Sequence, residues 1–304
     1  MEAYLENCDN FSGCGILFTL LGLAFGANTK GVNIGSAGIW LILGKEGKIT
    51  ELDLESFKNI EISALSANVD FKNADQYGID ISSYEGEVNW SVQEGSLKIS
   101  QQQSDGITLL SLSPDTNNKE TNITIYLPKN AKLEDVSVKL NDGNLSIDGA
   151  DAKSLYFICT FGNIDLNKTM AENIAIEMMG GVFTGVDLTA GTLQYKNKFG
   201  TGIFDQIATQ TFNAQSDDGN IEIRESNMED ITVNSQFGNI TTEALSSLKA
   251  DFHTLKGTMN LRGDFWGESV IGSELGDISF ATTKEKEDYT YSISTCLGEL
   301  YFEN

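Results

Sequence analysis

A glycine recurs at a fixed interval through the second half of the chain. Each of eight turn glycines stands 19 residues after the one before it: Gly143, Gly162, Gly181, Gly200, Gly219, Gly238, Gly257 and Gly276. A strand-like segment follows the glycine, as in Phe161-Gly162-Asn163-Ile164. A period of this length, sustained over many copies, indicates a repeat architecture in which each unit packs against its neighbours.

Apolar residues hold fixed places within each 19-residue row. In the row that begins at Leu133, Val136 and Val138 precede the glycine, and Leu145 and Ile147 follow it. One polar residue separates the members of each pair, which is the alternation of a strand with one buried face. A crossover helix does not fit such a row, because a βαβ unit takes roughly 30 residues.

The predicted fold class is therefore all-β. We expect a right-handed parallel β-solenoid with 19-residue coils, preceded by a short antiparallel β region. Equivalent residues should stack about 4.8 Å apart, the usual spacing of paired strands. Right-handed coiling is expected because connections between parallel strands are nearly always right-handed. Three regions follow from the patterns: an apolar segment over 1–30, an N-terminal β region over 31–130, and the solenoid over 131–304.

The N-terminal β region contains one isolated copy of the repeat, from Phe57 to Phe71. Ala67 stands in it where later copies have glycine, and the distance from Ala67 to Gly143 is 143 − 67 = 76, or four periods of 19. Residues 77–127 alternate with period two and predict antiparallel strands, with Glu94-Gly95 as a hairpin turn.

Residues 11–29 carry no formal charge, and a span of about 20 such residues can cross a bilayer. Two interpretations stay open for this segment. It is either a membrane anchor or an apolar cap on the first coil, since an open solenoid end has to be covered.

Asparagine follows the turn glycine in four copies: Gly143-Asn144, Gly162-Asn163, Gly219-Asn220 and Gly238-Asn239. Stacked amides can hydrogen-bond along a solenoid and satisfy backbone groups at the corner, so we interpret the column as a structural ladder. A calcium ladder is the alternative, but the Gly-Gly-x-Gly-x-Asp repeat typical of one is absent. Phe161, Phe199 and Phe237, one place before the glycine, form a second partial ladder, which we interpret as corner packing rather than as a platform for a ligand.

The charge balance restricts the choice of partner. With 20 basic and 44 acidic residues the formal net charge is −24, which repels nucleic acid phosphates and anionic lipids. The four cysteines, Cys8, Cys14, Cys159 and Cys296, form no Cys-x-x-Cys pair, and His253 is the single histidine. Neither a metal site nor a cofactor is predicted. The redox state of Cys8 and Cys14 is left open.

Exposed aromatic side chains are the best candidates for a contact surface. Phe265 and Trp266 stand in a turn after Arg262, where they could face a partner or cover the core. No residue is assigned a catalytic role. A carbohydrate-active enzyme would need convergent carboxylates or a bound cation with a basic residue. Here Arg224 and Arg262 stand two rows apart, beside Glu222 and Asp264.

The segment from Ile60-Glu61-Ile62 to Phe71, the strand Ile123-Thr124-Ile125-Tyr126-Leu127-Pro128 and the Gly-Asn-Ile coils resemble a family of bacterial adhesin-like domains of unknown function. The resemblance covers residues 55–304. It implies a β-solenoid without catalytic residues, common in Firmicutes and often tethered by one N-terminal membrane helix.

The resemblance and the acidic solenoid together predict a non-catalytic protein on the extracellular face of the cell envelope, anchored through residues 11–29. We expect adhesion-like contacts with a protein or a glycan, and no nucleic acid partner. Two alternatives stay open. One is a carbohydrate-active lyase or glycosidase on a β-helix, and the other is an accessory component of an envelope-stress system. A cytoplasmic location is not excluded by the sequence.

Overall fold

The computed structural model describes residues 29–35, 38–43, 47–83, 88–101, 107–111, 120–282 and 290–303. Within these ranges about 80% of the residues are in strands and none is in a helix. The described part of the chain therefore contains no helix long and apolar enough to span a membrane. Most of the predicted anchor or cap, residues 11–28, and both Cys8 and Cys14 lie outside the described residues.

Nine of the described strands precede the regular coils. They are β1 (Thr29–Gly35), β2 (Gly38–Leu43), β3 (Gly47–Leu52), β4 (Asn59–Ala74), β5 (Gly78–Ser83), β6 (Val88–Gln93), β7 (Ser96–Gln101), β8 (Ile107–Ser111) and β9 (Thr121–Pro128). Strands β1, β2 and β8 form a small antiparallel sheet of their own.

The described strands of the coils follow in chain order. They are β10 (Leu133–Asp142), β11 (Leu145–Asp148), β12 (Asp151–Phe161), β13 (Ile164–Asn167), β14 (Met170–Gly180), β15 (Val182–Arg224), β16 (Asn227–Ser235), β17 (Ile240–Thr254), β18 (Met259–Phe265), β19 (Glu268–Ser273), β20 (Ile278–Ala281), β21 (Thr290–Thr295) and β22 (Leu300–Glu303). Together with β3–β7 and β9 they form one continuous sheet that winds around a single core.

The coils pair in parallel with the predicted register. Val136 lies opposite Leu155, Leu155 opposite Ile174, and Ile174 opposite Leu193, so each partner is 19 residues further along the chain. The chain completes about nine turns in this way. The prediction of a parallel β-solenoid with 19-residue coils is confirmed.

Three inward-facing segments make up each coil, because the alternation of buried residues breaks at three corners. In the coil that contains Gly162, the first corner lies at Lys153, the second at Gly162 and the third at Lys168. The buried residues of this coil include Ala152 on a short face, Phe157 on a long face and Ile164 on a third face.

Aromatic side chains fill the middle of this core. The rings of Tyr195 and Phe204 pack edge to face there, with their centroids 5.2 Å apart. Such pairs add to the stabilisation that burial provides.

Glycine is required at the second corner because successive coils approach closely there. A Cβ on Gly162 would lie 1.8 Å from the carbonyl oxygen of Gly143 on the previous coil. The third corner has no glycine in five successive coils. It is formed by residues with φ between 45° and 56°, in the left-handed region: Lys168, Asp187, Gln206, Glu225 and Ala244.

The predicted isolated coil is stacked directly on the regular coils. Strand β4 pairs in parallel with β10 and β11, with Ile60 opposite Val136 and Val69 opposite Leu145. A Cβ on Gly143 would lie 2.0 Å from the carbonyl oxygen of Ala67, so Ala67 occupies the corner of this coil. The 76-residue spacing therefore marks an insertion between two adjacent coils.

That insertion corrects the prediction for residues 77–127. Strands β6 and β7 form the expected hairpin around Glu94-Gly95, and β5 pairs antiparallel with β9. However, β7 and β9 also pair in parallel with the free edge of β4. Alternation with period two marks a half-buried strand in either orientation, so the pattern could not distinguish the two. The N-terminal region thus contributes one more level to the solenoid.

Candidate functional site

The asparagine column forms two runs of hydrogen bonds along the glycine corner. In the first run the side-chain oxygen of Asn144 accepts from the backbone N–H of Asn163 at 2.9 Å, and that of Asn163 accepts from Val182 at 2.9 Å. In the second run Asn220 accepts from Asn239 at 3.0 Å, and Asn239 accepts from Thr258 at 2.9 Å. Each amide oxygen thus satisfies a backbone donor of the next coil.

The first run begins one coil earlier than the sequence pattern indicates. Asn68 Oδ1 accepts from the backbone N–H of Asn144 at 3.1 Å and from its Nδ2 at 3.0 Å. Asp277 takes the same place near the end of the solenoid and accepts from the backbone N–H of Glu299 at 2.8 Å. Among the described residues no group of three or more His, Cys, Asp or Glu is placed to hold a metal ion. The geometry of the column is that of a structural ladder.

The three phenylalanines beside this ladder lie on the surface. Phe161, Phe199 and Phe237 are 55%, 52% and 53% exposed. One edge of Phe161 covers the next coil, since its Cδ1 lies 3.9 Å from the position that a Cβ on Gly180 would take. Corner packing therefore accounts for only part of the surface of these rings, and the exposed part leaves room for the alternative of a ligand platform.

Other exposed apolar residues continue the same line. All of them stand within two places of a turn glycine, and we call the set the apolar edge: Phe161, Met179, Val182, Phe199, Phe237, Leu255, Leu275 and Leu297. Because equivalent positions of stacked coils lie above one another, the apolar edge runs along the solenoid on one side.

Polar side chains accompany the apolar edge. Lys198 and Lys256 are exposed next to Phe199 and Leu255, and Asp218 takes the place of a phenylalanine in the coil between Phe199 and Phe237. The edge therefore combines flat apolar faces with hydrogen-bonding groups.

A shallow groove of about 1010 Å³ follows the short face of the coils. Small residues such as Ala171 and Ala190 line it, and its charged residues gather toward the first coils. There Lys58 and Lys153 both approach Glu134, at 3.7 and 3.9 Å. Three lysines and four carboxylates line the groove in all, so it carries no excess of positive charge.

The predicted contact residue Phe265 lies in the core. It is 1% exposed and packs between Phe252 and Phe280, with ring centroids 6.2 and 5.2 Å away. The reason is a slip in register before it: Thr242 pairs with a residue 19 places later, whereas Leu245 pairs with Gly263, only 18 places later. The slip turns Phe265 inward.

Trp266 is 44% exposed at the next corner. Its backbone N–H donates to the carbonyl of Ser247 at 2.8 Å, which fixes the corner. A contact of Trp266 with a partner stays a prediction.

The arginines named for the enzyme alternative do not converge. Arg224 donates to Glu222 on the same strand at 2.6 Å, and Arg262 belongs to a coil two levels away. Burial raises the pKa of the Cys159 thiol to about 11, and it raises the pKa of the Tyr195 hydroxyl as well. Both groups are therefore protonated and neutral at neutral pH, which does not favour acid–base chemistry.

A parallel β-solenoid with an asparagine ladder and an exposed apolar edge at one corner is the class of protein that these observations define. Residues 57–295 match the family model described as Toastrack DUF4097, and the chain belongs to this family. The resemblance to adhesin-like domains of unknown function is thereby confirmed. A comparison with curated proteins finds no match.

Several solved structures are similar to the chain at low identity. A candidate adhesin from Bacteroides fragilis has 14% identity and a TM-score of 0.41, over 84% of this chain and 97% of that one. A candidate cell adhesion protein from Clostridium sporogenes has 13% identity and a TM-score of 0.31, over 85% and 99% of the two chains. A candidate adhesin from Parabacteroides merdae has 12% identity and a TM-score of 0.35, over 86% and 95%.

Proposed function

We propose that the protein is a non-catalytic component of the cell envelope that makes adhesion-like contacts with a protein or a glycan through the apolar edge. The observation that carries the proposal is the alignment of eight exposed apolar side chains along one side of the solenoid. Exposed apolar residues that gather on one side of a protein, rather than being scattered singly, commonly mark an interaction site.

The corner does not itself require these side chains. The place directly before the turn glycine holds Phe161, Phe199 and Phe237 in some coils, but Asp142 and Lys256 in others. The same corner therefore forms with a charged residue, which would keep the surface better solvated. A role in binding accounts for the phenylalanines where packing alone does not.

The net charge of the protein restricts the kinds of partner that it can bind. A net charge of −24 repels polyanions, so the proposed partner is a neutral or basic surface. Membership of a family whose structural neighbours are named as candidate adhesins agrees with a place in the envelope. Anchoring through residues 11–29 and exposure on the extracellular face are part of the same proposal.

Fractionation of the organism that encodes the protein tests the location. We expect the full-length chain in the envelope fraction and accessible to added protease on intact cells. Recovery in the cytosol alone would contradict the proposal.

Attachment of the purified, labelled protein to isolated envelopes tests the surface. A variant with Phe161→Ala, Phe199→Ala and Phe237→Ala should lose most of this attachment. Leu248→Ala is the control, because Leu248 is an exposed apolar residue away from the apolar edge. Equal attachment of both variants would mean that the edge is not the contact surface.

A further inference from the structure

The three phenylalanines of the apolar edge occur at every second coil. Phe161, Phe199 and Phe237 are 38 residues apart, which is two rows of 19. With coils about 4.8 Å apart, neighbouring rings are separated by about 9.6 Å, and the first and last by about 19 Å. The rings thus form a regular row with a gap between successive members.

No aromatic ring stands in the gaps. Gly180 pairs directly with Phe161 and has no side chain, although Met179 and Val182 of the same coil are exposed. The coil between Phe199 and Phe237 presents the polar residues Asp217, Asp218 and Asn220. A partner that docked through the apolar face of a helix would need a continuous apolar strip on this protein. The polar coil between Phe199 and Phe237 interrupts such a strip. A ligand that alternates between apolar faces and hydroxyl groups fits the row better.

We infer that the apolar edge binds a neutral, extended β-1,4-linked glycan that lies along the solenoid. The inference rests on the proposed contact function of this edge. Alternate sugars of such a chain turn the same face to one side, and the length of one disaccharide is close to that of two coils. Every second sugar can therefore place its apolar C–H face on a phenylalanine ring, whose flat surface provides large contact area at low entropic cost.

The side chains between the rings suit the hydroxyl groups of the intervening sugars. Asp218 offers carboxylate acceptors, Lys198 offers ammonium donors, and Gln236 donates to Asp217 at 3.1 Å and keeps its amide oxygen as an acceptor. Charge selects a neutral chain, since Asp217, Asp218 and the net charge of −24 repel an anionic polymer.

Calorimetric titration of the full chain with defined oligosaccharides tests the inference. The probes are cellohexaose and chitohexaose, with cellobiose and chitobiose as the matching disaccharides and maltohexaose as the α-linked control. We expect at least one β-linked hexasaccharide to bind. Its affinity should exceed that of its disaccharide more than tenfold, because the hexasaccharide covers all three rings and the disaccharide only one. Maltohexaose should not bind, because its linkage curves the chain away from a straight row.

The affinity of phenylalanine-to-alanine variants for the hexasaccharide provides the second test. Phe199→Ala should weaken hexasaccharide binding about 2- to 10-fold, the effect of one aromatic contact. The triple phenylalanine variant should abolish binding, whereas Leu248→Ala should leave it unchanged. Because the rings are about half exposed, all variants should keep the melting temperature of the parent within a few degrees, which separates lost binding from lost folding.

The two measurements, oligosaccharide binding and attachment to envelopes, test the proposed glycan ligand separately from the more general contact function. Failure of both β-linked hexasaccharides to bind, or equal binding of maltohexaose, would overturn the inference. If the hexasaccharides fail to bind while the triple variant still loses attachment to envelopes, the β-1,4-linked glycan is wrong, and the contact function stands with a protein or another glycan as partner. If the triple variant binds oligosaccharides and attaches to envelopes as well as the parent does, both the glycan inference and the proposed contact function of the apolar edge are wrong.

Discussion

The coils up to Gly200 and the coils from Gly219 onward form the same corner in two ways. In the earlier coils the glycines Gly143, Gly162, Gly181 and Gly200 have φ between 105° and 141°. In the later coils the turn glycines lie outside the left-handed region. The residue three places before the glycine changes with them. It is Leu140, Cys159 or Met178 in the first three of the earlier coils, and Ser216, Ser235, Thr254 or Ser273 in the later ones.

The side-chain hydroxyl of the later coils explains part of the difference between the two kinds of corner. Ser235 Oγ accepts from the backbone N–H of Gly238 at 2.9 Å and lies 3.1 Å from its carbonyl oxygen, so the later corner is bonded within one coil. In the earlier coils Gly143 instead donates its N–H to the carbonyl of Phe161 on the next coil, at 3.0 Å. One corner is thus held by its own side chain and the other by the neighbouring coil.

Both kinds of corner still require glycine. A Cβ would meet the carbonyl oxygen of the previous coil at 1.8 Å on Gly162 and at 1.8 Å on Gly238. The fixed period in the sequence therefore reflects the stacking distance between coils, not one backbone conformation.

Replacement of the glycine should have the largest effect. Gly162→Ala adds a steric clash to an unfavourable φ, and we expect it to reduce the free energy of unfolding by about 3–5 kcal/mol. Gly238→Ala adds the clash alone and should cost about 2–3 kcal/mol. Urea denaturation of the purified proteins measures both values.

Gly95 provides the control for backbone conformation. It has a φ of 70°, but a Cβ there meets nothing within 4 Å. Gly95→Ala should therefore cost only about 1–2 kcal/mol. If Gly238→Ala costs no more than Gly95→Ala, close stacking is not the reason for the glycine.

Removal of the corner hydroxyl comes next in size. Ser235→Ala leaves the buried N–H of Gly238 without its acceptor, and we expect a loss of about 1–3 kcal/mol. The matched change in an earlier coil is Cys159→Ser, which should cost less than about 1 kcal/mol because the hydroxyl can replace the thiol as donor to Gly143. Equal costs in urea denaturation would show that the two corners do not differ in this way.

The coil could be predicted because its constraints repeat. Glycine, the following asparagine and the alternating apolar residues each reappear after 19 residues, so any one copy is supported by the others. Features that occur once have no such support. The slip that buries Phe265 shortens the pairing by a single residue, and nothing in the local composition marks it.

The third corner, where the backbone is left-handed, was not predicted for a different reason. Its column contains Lys168, Asp187, Gln206, Glu225 and Ala244, which share a position and a backbone conformation but no side-chain chemistry. Glycine or asparagine would have indicated it. The apolar edge was missed similarly, because its members alternate between several places around the glycine and become one surface only when the coils stack.

The asparagine ladder should be equally important in both regions. Asn163→Ala removes the acceptor for the N–H of Val182, and Asn239→Ala removes that for Thr258. These exposed donors can turn to water, so each change should cost only about 0.5–1.5 kcal/mol. A difference of more than about 1 kcal/mol between the two variants would mean that the ladder depends on the conformation of the corner.

Alkaline pH should also distinguish the two kinds of corner. Burial and the nearby Asp142 raise the pKa of the Cys159 thiol to about 11, above the value of about 8.5 for an unfolded chain. The folded state therefore holds this proton more tightly. The resulting stabilisation is fully present below pH about 8.5 and is lost as the pH rises toward 11.

The measurement is the free energy of unfolding of the parent chain and of Cys159→Ser at about pH 8 and about pH 10.5. The parent should lose more stability than the variant between these values, because a serine hydroxyl does not titrate there. Other thiols, lysines and tyrosines are common to both proteins and cancel in the difference. The corresponding difference between the parent and Ser235→Ala should not change with pH, since the later corner contains no thiol. A pH-independent difference for Cys159→Ser would show that the earlier corner leaves the thiol exposed to water.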